Sequence, residues 1–117
     1  MVLPVELRPL LAAVEHAHRR VGQCAGSAWD PHILSDPELV LHALSALPRR
    51  EGLFLEWGSG IGLVALLAAW CGFEAFGIEI NPLLVDEARG LATIHGLSAS
   101  FAVGSFVPGW YDPDPDV

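Results

Sequence analysis

The chain has 117 residues, of which 52% are hydrophobic and 17% are charged, and its net charge at pH 7 is −8. This length favours a single domain with a real core, and so apolar a composition indicates surface that a partner would cover. The acidic balance excludes a broad basic surface of the kind that holds nucleic-acid phosphates. We therefore expect no direct nucleic-acid binding.

Two helices are predicted before the first strand. The first covers 5–20, where leucine and valine recur at helical spacing, and a loop follows at 22–31. The second begins at Asp36-Pro37, because aspartate caps free amide groups and proline fits the first helical position. It runs to about Leu47, with Leu39 among the residues predicted to be buried.

From residue 53 onward, strands and helices alternate. Strands are predicted at 53–57, 75–80 and 99–103, and helices lie between them at 62–71 and 81–95. The tail at 108–117 is rich in proline and aspartate and should be irregular. This order predicts an α/β fold, a Rossmann-like parallel sheet of about three strands preceded by two N-terminal helices. We expect a single cofactor-binding domain, 1–117, truncated after the third strand, with the first strand at the sheet edge.

The chemistry-bearing segment is the loop between the first strand and the helix after it. Strand 53–57 is short and apolar, as in a strand covered on both faces, and the glycines of a G-x-G-x-G pattern follow it at 58, 60 and 62. Glycine lets the chain turn sharply and lets a ligand approach the backbone, while the helix start offers amide groups to an anion. Glu56 lies just before this loop, and Glu79 lies at the end of the second strand, where an acid can accept both ribose hydroxyls.

The two acids discriminate between nucleotide cofactors. A dinucleotide site needs a small residue where this chain has Leu63, and its pyrophosphate would repel Glu56. An ammonium group would instead be attracted by Glu56. A ligand with an amino acid at one end and a ribose at the other satisfies Glu56 and Glu79 together, and S-adenosylmethionine is such a ligand.

The segments LFLEWGSGIG at 53–62 and GIEINP at 77–82 resemble class I S-adenosylmethionine-dependent methyltransferases. Within that family they are most similar to small protein-lysine methyltransferases, and the resemblance covers about 36–106. It implies a Rossmann-like fold, S-adenosyl-L-methionine as cofactor, and a protein side chain such as lysine as methyl acceptor. It names no catalytic residue, because in this family the groups that act on the acceptor mostly follow the fourth strand.

The resemblance also implies a role for each matching position. Glu56 would orient the methionine amino group, Glu79 would hold the ribose hydroxyls, and Ile80 would pack on the adenine. Ser105 stands where the family often has an acid that contacts adenine, so a strong contact is not expected there. The full set of predicted cofactor-binding residues is Glu56, Trp57, Gly58, Ser59, Gly60, Gly62, Glu79, Ile80, Ser105 and Phe106.

Two other functions stay open at this point. One is a non-catalytic module that binds the cofactor or a protein partner, with self-association through the open edge of the first strand. The other is a fragment of an NAD-dependent oxidoreductase.

Cellular context is predicted from what the sequence lacks. Cys24 and Cys71 form no disulfide framework, the five histidines are scattered and predict no metal site, and the first ten residues lack a signal-peptide pattern. The uncharged stretch 57–73 is glycine-rich at its start and too short for a transmembrane helix. We expect a cytoplasmic protein without membrane contact, and reduced thiols.

Overall fold

A computed structural model describes residues 3–25, 34–49 and 51–105. In chain order the elements are a 3-10 turn at Val5–Leu7, α1 at Arg8–Ala25, α2 at Pro37–Ser45, β1 at Leu53–Trp57, α3 at Leu63–Trp70, β2 at Glu74–Glu79, α4 at Pro82–Ile94 and β3 at Ala99–Val103. Predicted Phe106 and the predicted irregular tail lie outside the described residues.

The three strands form one parallel sheet in the order β1-β2-β3. Each crossover passes through a helix, α3 between β1 and β2 and α4 between β2 and β3. Parallel strands need such crossovers, and their carboxyl ends therefore meet at one edge of the sheet. The α/β prediction is confirmed, and among the described strands β1 lies at the sheet edge.

The core lies between one face of the sheet and two layers of helix. α3 packs on β1 and β2, α4 packs on β2 and β3, and the N-terminal helices form the outer layer, α2 on α3 and α1 on α4. Leu66, Leu67 and Ala88 are fully buried at its centre. An ion pair between Arg20 of α1 and Glu87 of α4 links the outer layer to the inner one.

The predicted coverage of β1 on both faces is wrong for the described residues. Along β1 the side chains alternate, and Leu53, Leu55 and Trp57 are 74%, 50% and 54% exposed. No described helix covers that face, whereas Phe54 and Glu56 point to the helical layer and are half-buried. An apolar strand sequence therefore does not by itself show that both faces are covered.

Two details of the N-terminal helices also differ from expectation. α1 does not end near Arg20 but continues through Gly22 to Ala25. Val21, the residue before Gly22, is buried against the core and extends the packed face of the helix. In α2 the buried residues are Leu41 and Leu44, whereas Leu39 is 68% exposed. The buried face of α2 is therefore rotated about the helix axis relative to the predicted one.

Candidate cofactor site

The loop between β1 and α3 is shaped by its glycines. Gly58, Gly60 and Gly62 all have positive φ, at 68°, 57° and 93°, a region that other residues rarely adopt. The amide groups of Gly58 and Ser59 donate to the carbonyl oxygen of Ile78 at 2.8 and 3.0 Å, which fastens the loop to β2. The glycine pattern thus serves a tight strand-to-helix turn held against the neighbouring strand.

The three glycines differ in what surrounds them. A Cβ atom added at Gly58 or Gly60 would meet nothing within 4 Å, so the backbone there borders open space. A Cβ at Gly62 would lie 2.8 Å from the Phe101 ring and 3.1 Å from Ala88. Gly62 is therefore required by packing, whereas Gly58 and Gly60 leave room in which a ligand could approach the backbone.

Glu79 is buried at the end of β2 and already holds the loop in place. Its Oε1 accepts a hydrogen bond from the Gly60 amide, and its Oε2 accepts one from the Asn81 amide, both at 2.9 Å. Only 6% of the residue is exposed. An ionised carboxylate can accept about four hydrogen bonds, so two acceptor positions remain for hydroxyl groups of a ligand.

Glu56 belongs to β1, and its carboxylate reaches the start of α3. Its Oε1 accepts a hydrogen bond from the amide of Ala65, in the first turn of that helix, at 3.2 Å. Burial raises the pKa of Glu56 from 4.5 to about 7; the amide of Ala65 opposes this rise, and the nearby charge of Glu79 adds to it. A cationic ligand group beside Glu56 would relieve both the burial and the repulsion.

A cavity of about 110 Å³ lies beside the loop and includes four of the predicted residues, Glu56, Gly58, Ser59 and Gly60. Ser59 Oγ is buried and has no hydrogen-bond partner within the described ranges. A buried hydroxyl without a partner is costly, and this one lies against β2, because a Cβ atom added at Gly77 would be 2.7 Å from it.

The opposite wall of this cavity was missed by sequence reasoning. His18 of α1, together with Leu34 and Ser35 just before α2, lines it. His18 lies one helical turn after buried Val14, and this i,i+4 spacing was the available signal that it faces inward.

The remaining predicted residues lie around the site rather than in that cavity. The side chain of Trp57 alternates to the opposite face of the sheet from Glu56, so only its backbone lies at the loop. Ile80 is 71% exposed just past β2, and the Gly104 amide donates to the Glu79 carbonyl oxygen at 3.0 Å, which brings the exposed Ser105 to the same end of the sheet.

The donor set fits S-adenosylmethionine. Glu56 suits its ammonium group, the start of α3 suits its carboxylate, Glu79 suits its ribose, and the exposed face of Ile80 offers an apolar contact for adenine. The open space at Gly58 and Gly60 leaves room between these groups.

Within residues 3–25, 34–49 and 51–105, no group of three potential metal ligands lies together. No helix in those ranges is both long enough and apolar enough to cross a bilayer.

Curated proteins similar to this chain are methyltransferases. It is 41% identical over 71 residues to the adenine nucleotide translocase lysine N-methyltransferase of Mus musculus, covering 60% of this chain and 31% of that protein. It is 34% identical over 83 residues to the protein-L-isoaspartate O-methyltransferase of Methylorubrum extorquens (strain PA1), covering 70% and 36%. The chain thus spans about a third of the length of these relatives. No protein-family model matches it.

Solved structures with the same fold are also methyltransferases. The C-terminal domain of precorrin-6Y C5,15-methyltransferase from Rhodobacter capsulatus aligns with a TM-score of 0.56 and 28% identity, covering 66% of this chain and 43% of that one. An RNA methyltransferase from Salinibacter ruber in complex with S-adenosyl-L-homocysteine aligns with a TM-score of 0.52 and 28% identity, covering 65% and 50%. By sequence and by fold, the chain is similar to S-adenosylmethionine-dependent methyltransferases.

Proposed function

We propose that this chain binds S-adenosylmethionine at the β1–α3 loop and forms the cofactor-binding part of a methyltransferase. The observation that carries the proposal is the pair of carboxylates on either side of one glycine loop. Glu79 is held by two backbone amides and Glu56 by a helix start, so both are oriented before a ligand arrives. Preorganised groups lower the cost of binding, because little order is lost when the ligand enters.

Bound S-adenosylmethionine supplies an activated methyl group on a positively charged sulfur. The chain's residues have to hold the cofactor, keep water away and leave one approach to the methyl carbon open. Glu56 and the first turn of α3 would fix the amino-acid end, and Glu79 would fix the ribose.

For the acceptor we propose a protein side chain, and lysine in particular. Support comes from the mouse relative, whose name specifies lysine N-methylation and which has the higher identity of the two relatives compared. The bacterial relative methylates isoaspartate, and one structural neighbour methylates RNA, so the shared fold does not fix the acceptor.

The cofactor proposal is tested by isothermal titration with S-adenosylhomocysteine. We expect saturable binding by the wild-type chain and at least about tenfold weaker binding after Glu79→Ala, because hydrogen bonds to a buried charged group contribute about 1.5–3 kcal/mol. Gly60→Val should weaken binding similarly, since its side chain would fill the open space beside the loop.

Two exposed positions supply matched controls. Glu74→Ala removes a carboxylate at the other end of β2, and Gly90→Ala adds a methyl group at an open position in α4. Both should keep wild-type affinity. Wild-type affinity in Glu79→Ala and in Gly60→Val would contradict the proposed site.

The alternatives are distinguished by the same titration. NADH binding in place of S-adenosylhomocysteine binding would support the oxidoreductase. Leu63 and Glu56 argue against that function, because a dinucleotide site needs a small residue at 63 and its pyrophosphate would repel Glu56. Binding of S-adenosylhomocysteine without methyl transfer to any protein in a complete cell extract would favour a non-catalytic cofactor-binding module.

A further inference from the structure

A second and larger cavity lies next to the one beside the loop. It has a volume of about 650 Å³ and lies between α1 and the start of α2. Four residues line both cavities, His18, Leu34, Ser35 and Leu63. The space beside the glycine loop therefore adjoins a pocket of the size that takes a small molecule or an amino-acid side chain.

The chemistry of the cofactor makes the shared lining of the two cavities informative. In S-adenosylmethionine the sulfonium sulfur is three bonds from the α-carbon that carries the ammonium and carboxylate groups. If Glu56 and the first turn of α3 hold that end, the transferable methyl lies close to the small cavity. An acceptor atom must come to about 3–3.5 Å from the reacting carbon, so it has to enter through space that adjoins this cavity.

The larger cavity has an apolar wall and a charged rim. Leu11, Val14, Leu34 and Leu63 contribute the wall. Along α1 the rim residues Arg8, Glu15 and Arg19 recur at spacings of seven and four, which places them on one stripe of the helix, and Asp36 faces them from the start of α2.

We propose that this second cavity is the methyl-acceptor site and that it takes the side chain of a lysine within a polypeptide. The aliphatic stem would pack along the leucine and valine wall, with the amine at the junction beside His18. The rim carries both signs of charge and would contact polar groups of the flanking peptide. The inference rests on the proposed cofactor site.

The experiment uses the ¹⁵N-labelled chain saturated with S-adenosylhomocysteine, titrated with Nα-acetyl-L-lysine N-methylamide and followed by amide chemical shifts. We expect shifts at Leu11, Glu15 and Leu34. Ala12→Trp should fill the cavity, because Ala12 is an exposed residue that lines it. His16→Trp makes a comparable change at an exposed α1 position outside the lining.

Ala12→Trp should weaken probe binding about tenfold or more and retain S-adenosylhomocysteine affinity, whereas His16→Trp should change neither. Two results would overturn the proposal directly: no probe binding by a chain that binds S-adenosylhomocysteine, or chemical-shift changes confined to another surface. Loss of S-adenosylhomocysteine affinity in Ala12→Trp would also overturn it, because this loss would place the cofactor in the larger cavity. Failure of the wild-type chain to bind S-adenosylhomocysteine would instead reject the cofactor site.

Discussion

Two acidic residues beside one loop have different physical states. Glu79 accepts two short backbone hydrogen bonds, whereas Glu56 accepts one longer bond and its pKa is raised to about 7. The charge of Glu56 thus changes near neutral pH, and Glu56 is proposed to meet the ligand's ammonium group. Ligand affinity should therefore depend on pH through Glu56.

Affinity for S-adenosylhomocysteine should rise as pH rises from 6 to 8. Only the ionised Glu56 attracts an ammonium group, and with a pKa of about 7 its ionised fraction grows about tenfold over this range. Titration calorimetry at both pH values should show an affinity gain of that order in the wild type. Glu56→Gln should bind more weakly at pH 8 and lack most of the gain; an equal gain in both proteins would contradict this role.

The same residue predicts the pH dependence of folding stability without ligand. The pKa of Glu56 is raised from 4.5 to about 7 on folding, so between these values the folded state binds more protons than the unfolded state. The free energy of unfolding should then fall as pH rises through this window and level off above it, by up to about 3 kcal/mol.

Urea unfolding of the wild type and of Glu56→Gln at pH 5 and pH 8 measures this contribution. The variant lacks the titrating group, so the difference between the two proteins should move in its favour at pH 8. A difference that is independent of pH would show that Glu56 titrates normally in the folded chain.

At the scale of elements, the contact between β2, β3 and the loop is the tightest part of the site. A Cβ atom at Gly77 would lie 2.6 Å from the Phe101 ring and 2.7 Å from Ser59. Gly77→Ala should therefore destabilise the fold by about 1–3 kcal/mol, as overpacking does. Chemical denaturation measures the change.

Gly77→Ala has a useful control and a useful suppressor. Gly90→Ala, in the middle of α4 with open space around it, should instead stabilise by about 0.5–1 kcal/mol because alanine favours helix. Phe101→Leu combined with Gly77→Ala should recover part of the lost stability. Equal effects of Gly77→Ala and Gly90→Ala would contradict the packing described here.

Local signals in the sequence were sufficient for most element boundaries. The Asp36 and Asn81 side chains accept hydrogen bonds from amides two residues later, at 2.9 and 3.0 Å, and a proline begins each helix as predicted. β1 and β3 begin and end where expected, and Gly96 follows α4 at a positive φ of 63°. Capping and turn chemistry depend on neighbouring residues, which a sequence displays directly.

Features that depend on distant residues could not be predicted in this way. The inward position of His18 depends on how α1 lies on the inner helices, and the raised pKa of Glu56 depends on its burial and on Glu79, which comes from another strand. Likewise, Gly62 looked like a ligand-binding glycine, yet its neighbour in space is Phe101.

At the scale of the whole molecule, the described sheet has a helical layer on one face and apolar side chains exposed on the other. Phe76 of β2, at 36% exposed, and the exposed Ala102 of β3 continue the row that Leu55 and Trp57 begin on β1. Within the part of the chain that the structure describes, β1 also has an unpaired edge, and its sequence contains no proline or lysine to prevent pairing. An apolar surface next to a free edge favours association.

We therefore expect the chain to self-associate as its concentration increases. Two copies of β1 paired antiparallel would join both sheets and bring Leu55 of each copy together on the apolar face.

Leu55→Glu places a charge at the centre of that contact, whereas Ile94→Glu makes the same kind of change at a 79% exposed residue at the end of α4. In sedimentation velocity, Leu55→Glu should abolish the concentration dependence and Ile94→Glu should retain it. A wild-type chain that stays monomeric at every concentration would show that this face does not bind a second copy, and equal loss in both variants would place the contact elsewhere.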